Sequence, residues 1–409
     1  MNQWILVWCY LKAKPLHTIL NIFLLALGIS VVTVLLLFSQ QVSDKVASNT
    51  KGIDLVVGAK GSPMQLILCS VFHIDVPTGN IKLSEAERIS RHRLVKRSIP
   101  MALGDSYQGY RIVGTTRAYA ELYHAELQSG AWNEKVLEVT VGSVVAGRLG
   151  MKVGDQFASA HGLTIDGHDH ETHRYKIAGI LKPSRTVLDN LILTNVESIW
   201  MVHELYETNN NKLQMPSPLV PSVEAGDSLR ELTTLLIQYR NPLAVIQLPR
   251  FINSSSNLQA ASPSFETARL FAMIGVGAEV LTGFAMVLIL ISALSIFLAL
   301  FNSLKERQYD LAIMRSMGAG KKRLFVTILL EGMFLTSVGS FLGLGMGHAA
   351  IAAFMIIIPE AQKAGLSASA FIPAEAWMLM GSLVLGFICS FIPAFQAYRI
   401  DIHKVLAGN

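Results

Sequence analysis

Residues 280–301 read VLTGFAMVLILISALSIFLALF, a run without Asp, Glu, Lys or Arg. An α-helix needs about 20 apolar residues to cross the hydrocarbon layer of a bilayer, so this run predicts a membrane-spanning helix. Leu16–Phe38, Gly332–Ile358 and Ala376–Ala397 pass the same test. The sequence therefore predicts a membrane α-helical protein with four transmembrane helices.

The composition agrees with this prediction. Hydrophobic residues make up 51% of the 409-residue chain and charged residues only 15%, whereas about 25% of the residues in soluble domains are charged. A net charge of +5 is too small to indicate a nucleic-acid partner. Three cysteines cannot form a disulfide framework. These numbers exclude a simple soluble enzyme, and membrane lipids are an expected partner.

The first apolar run is expected to stay in the protein as an anchor. It is longer than the apolar core of a signal peptide, which has about 7–15 residues, and no small-x-small cleavage site follows Phe38. Ahead of it, the apolar residues 4–8 fit a short helix lying in the membrane interface. An extended first span fits them equally well.

Basic residues in the short loops predict the orientation of the spans. The loop after the second span contains Lys305, Arg307, Arg315, Lys321, Lys322 and Arg323. The loop between the third and fourth spans has only Lys363. Both termini and the loop at 302–323 are therefore expected in the cytoplasm, and the long segment between the first two spans outside.

This segment is predicted to be a large external α+β domain between helices 1 and 2. Strands are expected at Ile53–Val57, Val136–Val145, Tyr175–Leu181, Asn190–Leu193, Leu232–Tyr239 and Ala244–Gln247. A helix is expected at Leu83–Arg97, where Ser84 and Glu87 have capping-box spacing. Since nothing breaks a helix between Pro263 and Phe301, one helix is expected to begin outside and cross the bilayer.

The chain accordingly divides into seven parts. They are an interfacial helix with the first transmembrane helix (1–40), an external α+β domain (41–265), the second transmembrane helix with an external extension (266–301), a cytoplasmic loop (302–323), the third transmembrane helix (324–358), a short external loop (359–375), and the fourth transmembrane helix with a cytoplasmic tail (376–409).

Read in order, these features resemble the permease subunits of MacB/FtsX/LolC-type ATP-binding-cassette (ABC) systems. The resemblance is carried by KPLHTIL at 14–20 with ALGIS at 26–30, by ERQYDLAIMRSMGA at 306–319, and by PAFQAYRID at 393–401 with Val405 and Leu406. The chain departs from the family at Asp310, where Glu is more usual, and at Ile402, where proline is common.

The resemblance implies a permease subunit of an ATP-driven transporter in the bacterial inner membrane. It implies that a separate ABC ATPase subunit binds ATP and Mg, and that two permease copies form a homodimer whose periplasmic domains move to export or extract cargo. A periplasmic adaptor or substrate-binding protein is a further candidate partner. The residues add that this chain has no G-x-x-x-x-G-K-[ST] loop, no G-x-S-x-G elbow and no H-E-x-x-H pair, so it is expected not to be an enzyme.

Residues 306–319 resemble the family's cytoplasmic coupling helix. The candidate ATPase-coupling residues are Glu306, Arg307, Tyr309, Asp310, Ile313, Met314, Arg315, Met317 and Gly318. As a helix, the segment places Tyr309, Ile313 and Met317 on one apolar stripe, with the charged side chains as polar anchors. The stripe fits a groove on a cytoplasmic partner, and a helix lying on the inner leaflet is the alternative.

Two other motifs suggest sites. Gly339, Gly343 and Gly347 share one face of the third span, which fits close packing within the subunit and dimerisation equally well. His161, His168, His170 and His173, with acidic residues between them, are candidate zinc ligands. Polar loops also collect histidine without binding metal.

Two alternative functions remain open from the sequence. One is an FtsX-like transmembrane regulator that activates a periplasmic hydrolase, and the other is a membrane sensor that works without an ATPase. The cargo is not encoded in any motif that we recognise.

Overall fold

The computed structural model of the protein describes residues 3–13, 15–161, 169–202, 230–358 and 366–399. The chain forms two compact units. Met1–Ser43 and Met273–Asn409 make up the membrane unit, and Asp44–Ala272 make up the external unit.

The helices of the two units are, in chain order, α1 (Gln3–Ala13), α2 (Pro15–Thr50), α3 (Pro63–Ser70), α4 (Leu83–Ser90), α5 (Arg117–Leu122), α6 (Ser143–Leu149), α7 (Ala244–Ser255), α8 (Pro263–Glu306), α9 (Gln308–Ser316), α10 (Lys321–Ile357) and α11 (Pro373–Tyr398).

Four of these helices, α2, α8, α10 and α11, are long and apolar enough to cross a membrane, which confirms the predicted fold class. Pro15 is the first residue of α2, a position that suits proline because the amide hydrogen it lacks would have no partner there. Helix α8 runs without a break from Pro263 to Glu306, as the absence of helix breakers predicts. Helix α2 continues well past its predicted span and ends at Thr50.

The helices of the membrane unit pack around a shared apolar core. Its buried members are Val7, Leu11, Leu25, Ile29, Ile296, Leu300 and Leu335. Within this apolar layer, Ser295 donates a hydrogen bond to the side-chain oxygen of Asn21 (2.5 Å) and Ser340 donates one to Ser382 (2.7 Å). Such bonds satisfy hydroxyl groups that would otherwise be unpaired among hydrocarbon, and they fix the register of α2 on α8 and of α10 on α11.

The external unit is built on β-strands. They are β1 (Leu55–Ala59), β2 (Ile81–Lys82), β3 (Val95–Tyr107), β4 (Tyr110–Thr115), β5 (Leu127–Gly130), β6 (Glu138–Val141), β7 (Gln156–His161), β8 (Asp169–Leu181), β9 (Ile192–Thr194), β10 (Glu231–Leu232), β11 (Thr234–Tyr239) and β12 (Leu258–Ala261).

Ten of these strands form one mixed sheet in the order β12-β1-β11-β3-β4-β9-β6-β8-β5, with β7 paired to β3 and β8. Apolar side chains cover both faces of the sheet, so helices pack on each side and a core forms above and below it. Strands β3 and β4 are joined by the two residues Gln108 and Gly109, whose φ angles are +47° and +77°. Those angles fit a type I′ turn, which matches the twist of the strands.

One predicted strand is wrong. Residues Ala244–Gln247 form the first turn of helix α7. The short run of apolar residues there looks like a strand over four positions, but Ala244, Leu248 and Ile252 are buried at a spacing of four. Read over twelve residues, that spacing is the period of a helix.

Two further predictions need shorter boundaries. Helix α4 ends at Ser90, because Val95 already pairs with Tyr239 of β11. Its N-cap is Lys82, which makes no side-chain capping bond, so the predicted capping box does not form. The strand predicted at Val136–Val145 covers only Glu138–Val141, and α6 begins two residues later.

Candidate functional site

Helix α9 lies in the cytoplasmic loop of the prediction and covers Gln308–Ser316. Gly318 ends it with a φ of +98°, a left-handed conformation that costs glycine nothing. The amides of Gly318 and Ala319 donate to the carbonyls of Arg315 and Met314, which is the Schellman arrangement. A glycine at this position therefore sets where α9 stops and α10 begins.

One face of α9 is fixed to the membrane unit. Leu311 and Ala312 are buried. Leu311 packs in a cluster with other buried residues of α8, α10 and α11. These are Leu304, Leu324, Ile328, Ala394 and Ala397. Because all four helices meet in this cluster, α9 cannot shift without moving its neighbours.

The opposite face of α9 carries the predicted apolar stripe. Tyr309 is 59% exposed, Ile313 37% and Met317 82%. Asp310 beside them is exposed, and Arg315 is half-buried. Large apolar side chains presented on a helix that is held from behind form a surface suited to a groove on another protein.

Arg307 does not project as a polar anchor, contrary to the prediction. It is the N-cap residue of α9 and its side chain turns inward. Its guanidinium lies 3.9 Å from the ring centre of Tyr10 and 3.7 Å from a carboxylate oxygen of Glu331, which is itself buried. Arg307 therefore links the start of α9 to α1 and α10.

The remaining predicted coupling residues lie nearby. Glu306 is the last residue of α8, before α9 starts. Met314 is half-buried, and its sulfur accepts a long contact of 4.0 Å from the Tyr10 hydroxyl. Sequence reasoning missed Tyr10 because nothing in the chain around it marks a tertiary contact with α9.

The three glycines of α10 face α2 of the same chain. A Cβ added at Gly339 would lie 2.9 Å from Leu25, one at Gly343 would lie 2.6 Å from the Ala26 carbonyl oxygen, and one at Gly347 would lie 2.7 Å from Thr33. Their bare backbone therefore allows close packing of α10 on α2 within the subunit.

The histidine-rich segment is only partly described. His168 lies outside the described residues, and for His161, His170 and His173 the structure gives the backbone, in strands β7 and β8. Among the side chains that are described, no group of three His, Cys, Asp or Glu residues could hold a metal ion. The zinc hypothesis stays a prediction.

The last turn of α2 is tied into the external unit. The side-chain oxygen of Asn49 accepts a hydrogen bond from the Val187 amide (3.1 Å), and its carbonyl accepts one from the Tyr123 hydroxyl (2.7 Å). Asn49 is buried, so these bonds are shielded from water. The end of the first spanning helix is thus part of the core of the external unit.

A buried polar cluster lies under the loop that follows α3. Arg111 donates to the Asp75 carbonyl (2.7 Å) and to the Cys69 sulfur (3.4 Å), and His73 Nε2 lies 2.9 Å from the Tyr119 hydroxyl. Burial, with the charge of Arg111 adding to it, lowers the pKa of His73 to about 3. Burial raises the pKa of the Cys69 thiol, which Arg111 only partly offsets. The cluster therefore holds a neutral imidazole and a protonated thiol at neutral pH. The sequence signal for this cluster is Arg111, a charged residue inside the otherwise apolar strand β4.

The loop before α11 is tied to the membrane unit. The side-chain amide of Gln41 on α2 donates to the Ser367 carbonyl (2.9 Å) and accepts from its amide (2.7 Å). On α10, His348 Nδ1 lies 2.6 Å from the Ala368 carbonyl oxygen, and its Nε2 lies 3.4 Å from the buried carboxylate of Glu375. The loop therefore links α2, α10 and the start of α11 to each other.

Comparison with known families covers both units. The sequence model of the MacB-like periplasmic core domain matches residues 18–231, more than half of the chain, and that of the FtsX-like permease C-terminal domain matches residues 282–402. The chain belongs to the MacB/FtsX family of ABC transporter permeases. The FtsX match includes α9 and the glycine face of α10.

Two solved structures align with about half of the chain. The periplasmic region of MacB from Actinobacillus actinomycetemcomitans aligns with 55% of this chain and 97% of its own length, at 9% identity and a TM-score of 0.33. The extracellular domain of the ABC-type transporter YknZ from Gram-positive bacteria aligns with 51% of this chain and 99% of its own length, at 11% identity and a TM-score of 0.29. No curated protein matches the chain significantly.

Membership of the MacB/FtsX family gives the two units their roles. The protein is a multi-pass membrane permease, and its external unit is a periplasmic domain. Permeases of this family work with an ATPase subunit.

Proposed function

We propose that the chain is a non-catalytic permease subunit that converts the motion of a cytoplasmic ATPase into movement of its periplasmic domain. In this proposal ATP and Mg bind to the partner subunit, both termini lie in the cytoplasm, and two copies in the inner membrane form the working dimer. The output is export or extraction of a cargo from the periplasmic side.

The exposed stripe on α9 carries the proposal. Tyr309 and Ile313 of α9, with Met317 at its C-cap, present apolar surface, and the other face of the helix is buried against three spanning helices. Binding of a partner to such a stripe is stabilised by about 25 cal/mol for each Å² of apolar surface that is buried. Because the buried face of α9 packs against these helices, a force applied to α9 is transmitted to the membrane unit.

Continuous helices offer a path onward from α9. Helix α8 ends one residue before the N-cap of α9 and extends without interruption back to Pro263. Helix α2 is continuous from Pro15 to Thr50 and ends in the bonds made by Asn49. An unbroken helix resists bending and stretching, so it transmits displacement along its axis better than a loop.

Charge reversal on the stripe tests the proposal. We expect Ile313→Glu combined with Met317→Glu to abolish co-purification of an ATP-binding subunit, because two carboxylates would be desolvated in the groove. Met314→Glu or Arg315→Glu should also abolish it. The Met314 substitution disturbs the contact with Tyr10 as well, so the exposed pair gives the cleaner result.

The matched control is Lys322→Gln, an exposed residue in the first turn of α10 away from the stripe. It should leave partner recovery unchanged, and all variants should insert and remain monodisperse in detergent. Recovery of the ATPase at the wild-type level with the double variant would refute the coupling role of α9. No feature of the described residues favours a hydrolase activator or a sensor without an ATPase.

A further inference from the structure

One edge of the external unit is strongly basic. We call it the basic edge, and its members are the exposed residues Arg88, Arg91, Arg93, Lys96, Arg240 and Arg250. Glu87 pairs with Arg91 at 3.1 Å, so the excess positive charge comes from the other five. Contacts bring the segment at 88–96 and the segment at 240–251 together there. The Arg240 amide donates to the Leu94 carbonyl (2.9 Å), and the ring of His92 stacks on Phe251 at 5.1 Å. The sequence contains no Asp or Glu between Arg240 and Phe265.

An apolar surface adjoins the basic edge at the start of α7. Leu243 is 63% exposed, Val245 56% and Ile246 67%. We call these three residues the apolar tip. The core-facing positions of α7 are Ala244, Leu248 and Ile252, so the tip is not needed to hold the helix on the sheet.

Both surfaces lie at the end of the sheet where the chain enters and leaves the external unit. The side chain of Gln238 donates to the Gly52 carbonyl (2.8 Å), and the Tyr239 amide donates to Asp54 (2.6 Å). These contacts place the end of β11, which leads into Arg240, beside the residues that follow α2. At the same end of β1, Val56 pairs with Ala261, two residues before α8 begins.

We propose that the basic edge and the apolar tip bind anionic phospholipid at the membrane surface. Guanidinium groups make paired, charge-assisted hydrogen bonds to phosphate. Apolar side chains flanked by basic residues enter the interface between headgroups and acyl chains. This inference needs only that the chain spans a bilayer, and it is independent of any ATPase.

The chain connection gives the lipid as the first candidate. Helix α2 ends at Thr50, shortly before β1, and helix α8 begins at Pro263, shortly after β12, so both spanning helices join the external unit at this end of its sheet. Charge complementarity therefore favours the bilayer itself over a more distant acidic protein as the occupant.

Fluorescence quenching in nanodiscs tests the proposal on the full-length chain. A cysteine-reactive fluorophore is placed at Ile246→Cys or at Asn257→Cys, in a background where the exposed Cys9 is replaced by serine. Asn257 is exposed and precedes Leu258, which pairs with Ala59 at the opposite end of β1. The discs hold one chain and carry nitroxide-labelled headgroups, with either phosphatidylglycerol and phosphatidylcholine or phosphatidylcholine alone.

We expect the label at position 246 to be quenched about twofold more than the label at 257 in the anionic discs, because basic residues gather anionic headgroups around the tip. Arg240→Glu with Arg250→Glu should remove that excess, and so should high salt or zwitterionic lipid. Lys60→Glu, an exposed charge reversal just beyond the far end of β1, should leave it intact.

Other outcomes would overturn the proposal. Equal quenching at 246 and 257 would show that the tip does not reach lipid. An excess that is the same in both lipids, or that survives the double arginine reversal, would refute recognition of anionic headgroups. An excess seen only when two chains share a disc would assign the surface to a second copy.

Discussion

At the scale of single residues, the glycines of α10 offer a direct test of packing. A side chain at Gly343 would lie 2.6 Å from the Ala26 carbonyl oxygen, whereas nothing lies within 4 Å of the Cβ position at Gly345. Gly343→Ala should therefore lower stability by about 1–3 kcal/mol through overpacking. Gly345→Ala should be neutral or slightly stabilising, since alanine favours the helix. Thermal unfolding in detergent measures both, and equal midpoints would show that α10 does not pack on α2 through this face.

His73 gives a pH dependence at the same scale. Its pKa is about 3 in the folded protein and about 6.5 when unfolded. Between pH 6.5 and pH 3, His73 is protonated in the unfolded chain but not in the folded chain. Its full contribution to the free energy of unfolding is therefore present above pH 6.5. It is lost as the pH falls toward 3, by about 1.4 kcal/mol per pH unit.

We expect His73→Gln to reduce this loss of stability at acid pH. Hydrogen exchange of β3 and β4 peptides in the full-length protein, followed from pH 7 to pH 5, measures the local free energy of opening. Wild-type protein should lose about 2 kcal/mol over that range, and the variant clearly less. Identical slopes would mean that the pKa of His73 is not lowered by folding.

At the scale of elements, Arg307 joins three helices. It caps α9, covers the ring of Tyr10 on α1 and pairs with Glu331 on α10. Arg307→Met leaves the buried Glu331 without its cation, so we expect a loss of about 3–5 kcal/mol. Adding Glu331→Gln should recover much of that loss, because the pair then carries no uncompensated charge.

A double-mutant cycle in detergent, followed by the thermal midpoint, measures this coupling. Additive losses in the double variant would show that Arg307 and Glu331 act independently. The single variant should also weaken binding of the ATPase, since it loosens the start of α9.

The elements also show what a single sequence can predict. The four spans and the uninterrupted α8 follow from long apolar runs without charges, which few other structures explain. The outward stripe of α9 follows from the spacing of Tyr309, Ile313 and Met317. The inward turn of Arg307 could not be predicted, because a partner such as Tyr10 is remote in sequence and adjacent only after folding.

Within the external unit, local pattern was a weaker guide. Ala244–Gln247 has the composition of a strand but lies in α7, where tertiary burial at every fourth residue decides the structure. The capping box at Ser84 fails because Lys82 of the preceding strand β2 is the N-cap. Strand pairing with distant residues overrides such local signals.

At the scale of the whole molecule, Asn49 is where the proposed transmission of motion can be interrupted without changing α9 or the sheet of the periplasmic domain. Asn49→Ala removes the bond to the Val187 amide, and Tyr123→Phe removes the one to the Asn49 carbonyl. We expect each variant to bind the ATPase normally, because α9 is unchanged. Each should lose most of the movement of the periplasmic domain that accompanies the hydrolysis of one ATP. Purified complex in liposomes, assayed for ATP hydrolysis and for distance changes between labels on the domain, separates the two quantities.

Ser48→Ala is the control for that experiment, because its hydroxyl donates to the Lys45 carbonyl within α2. The Ser48→Ala variant should show as much domain movement for each ATP hydrolysed as the wild-type protein. Wild-type movement in both Asn49→Ala and Tyr123→Phe would show that α2 is not a route of transmission.

The glycine face of α10 has a consequence for the proposed dimer. That face is covered by α2 of its own chain and is not available to a second copy, whereas bulky side chains such as Phe284 and Leu294 of α8 are 62% and 58% exposed. Bulky apolar surfaces repack at little cost, whereas backbone-to-backbone contacts through glycine fix one alignment. A dimer interface built from such side chains would be able to slide, while the helices inside each copy keep their alignment.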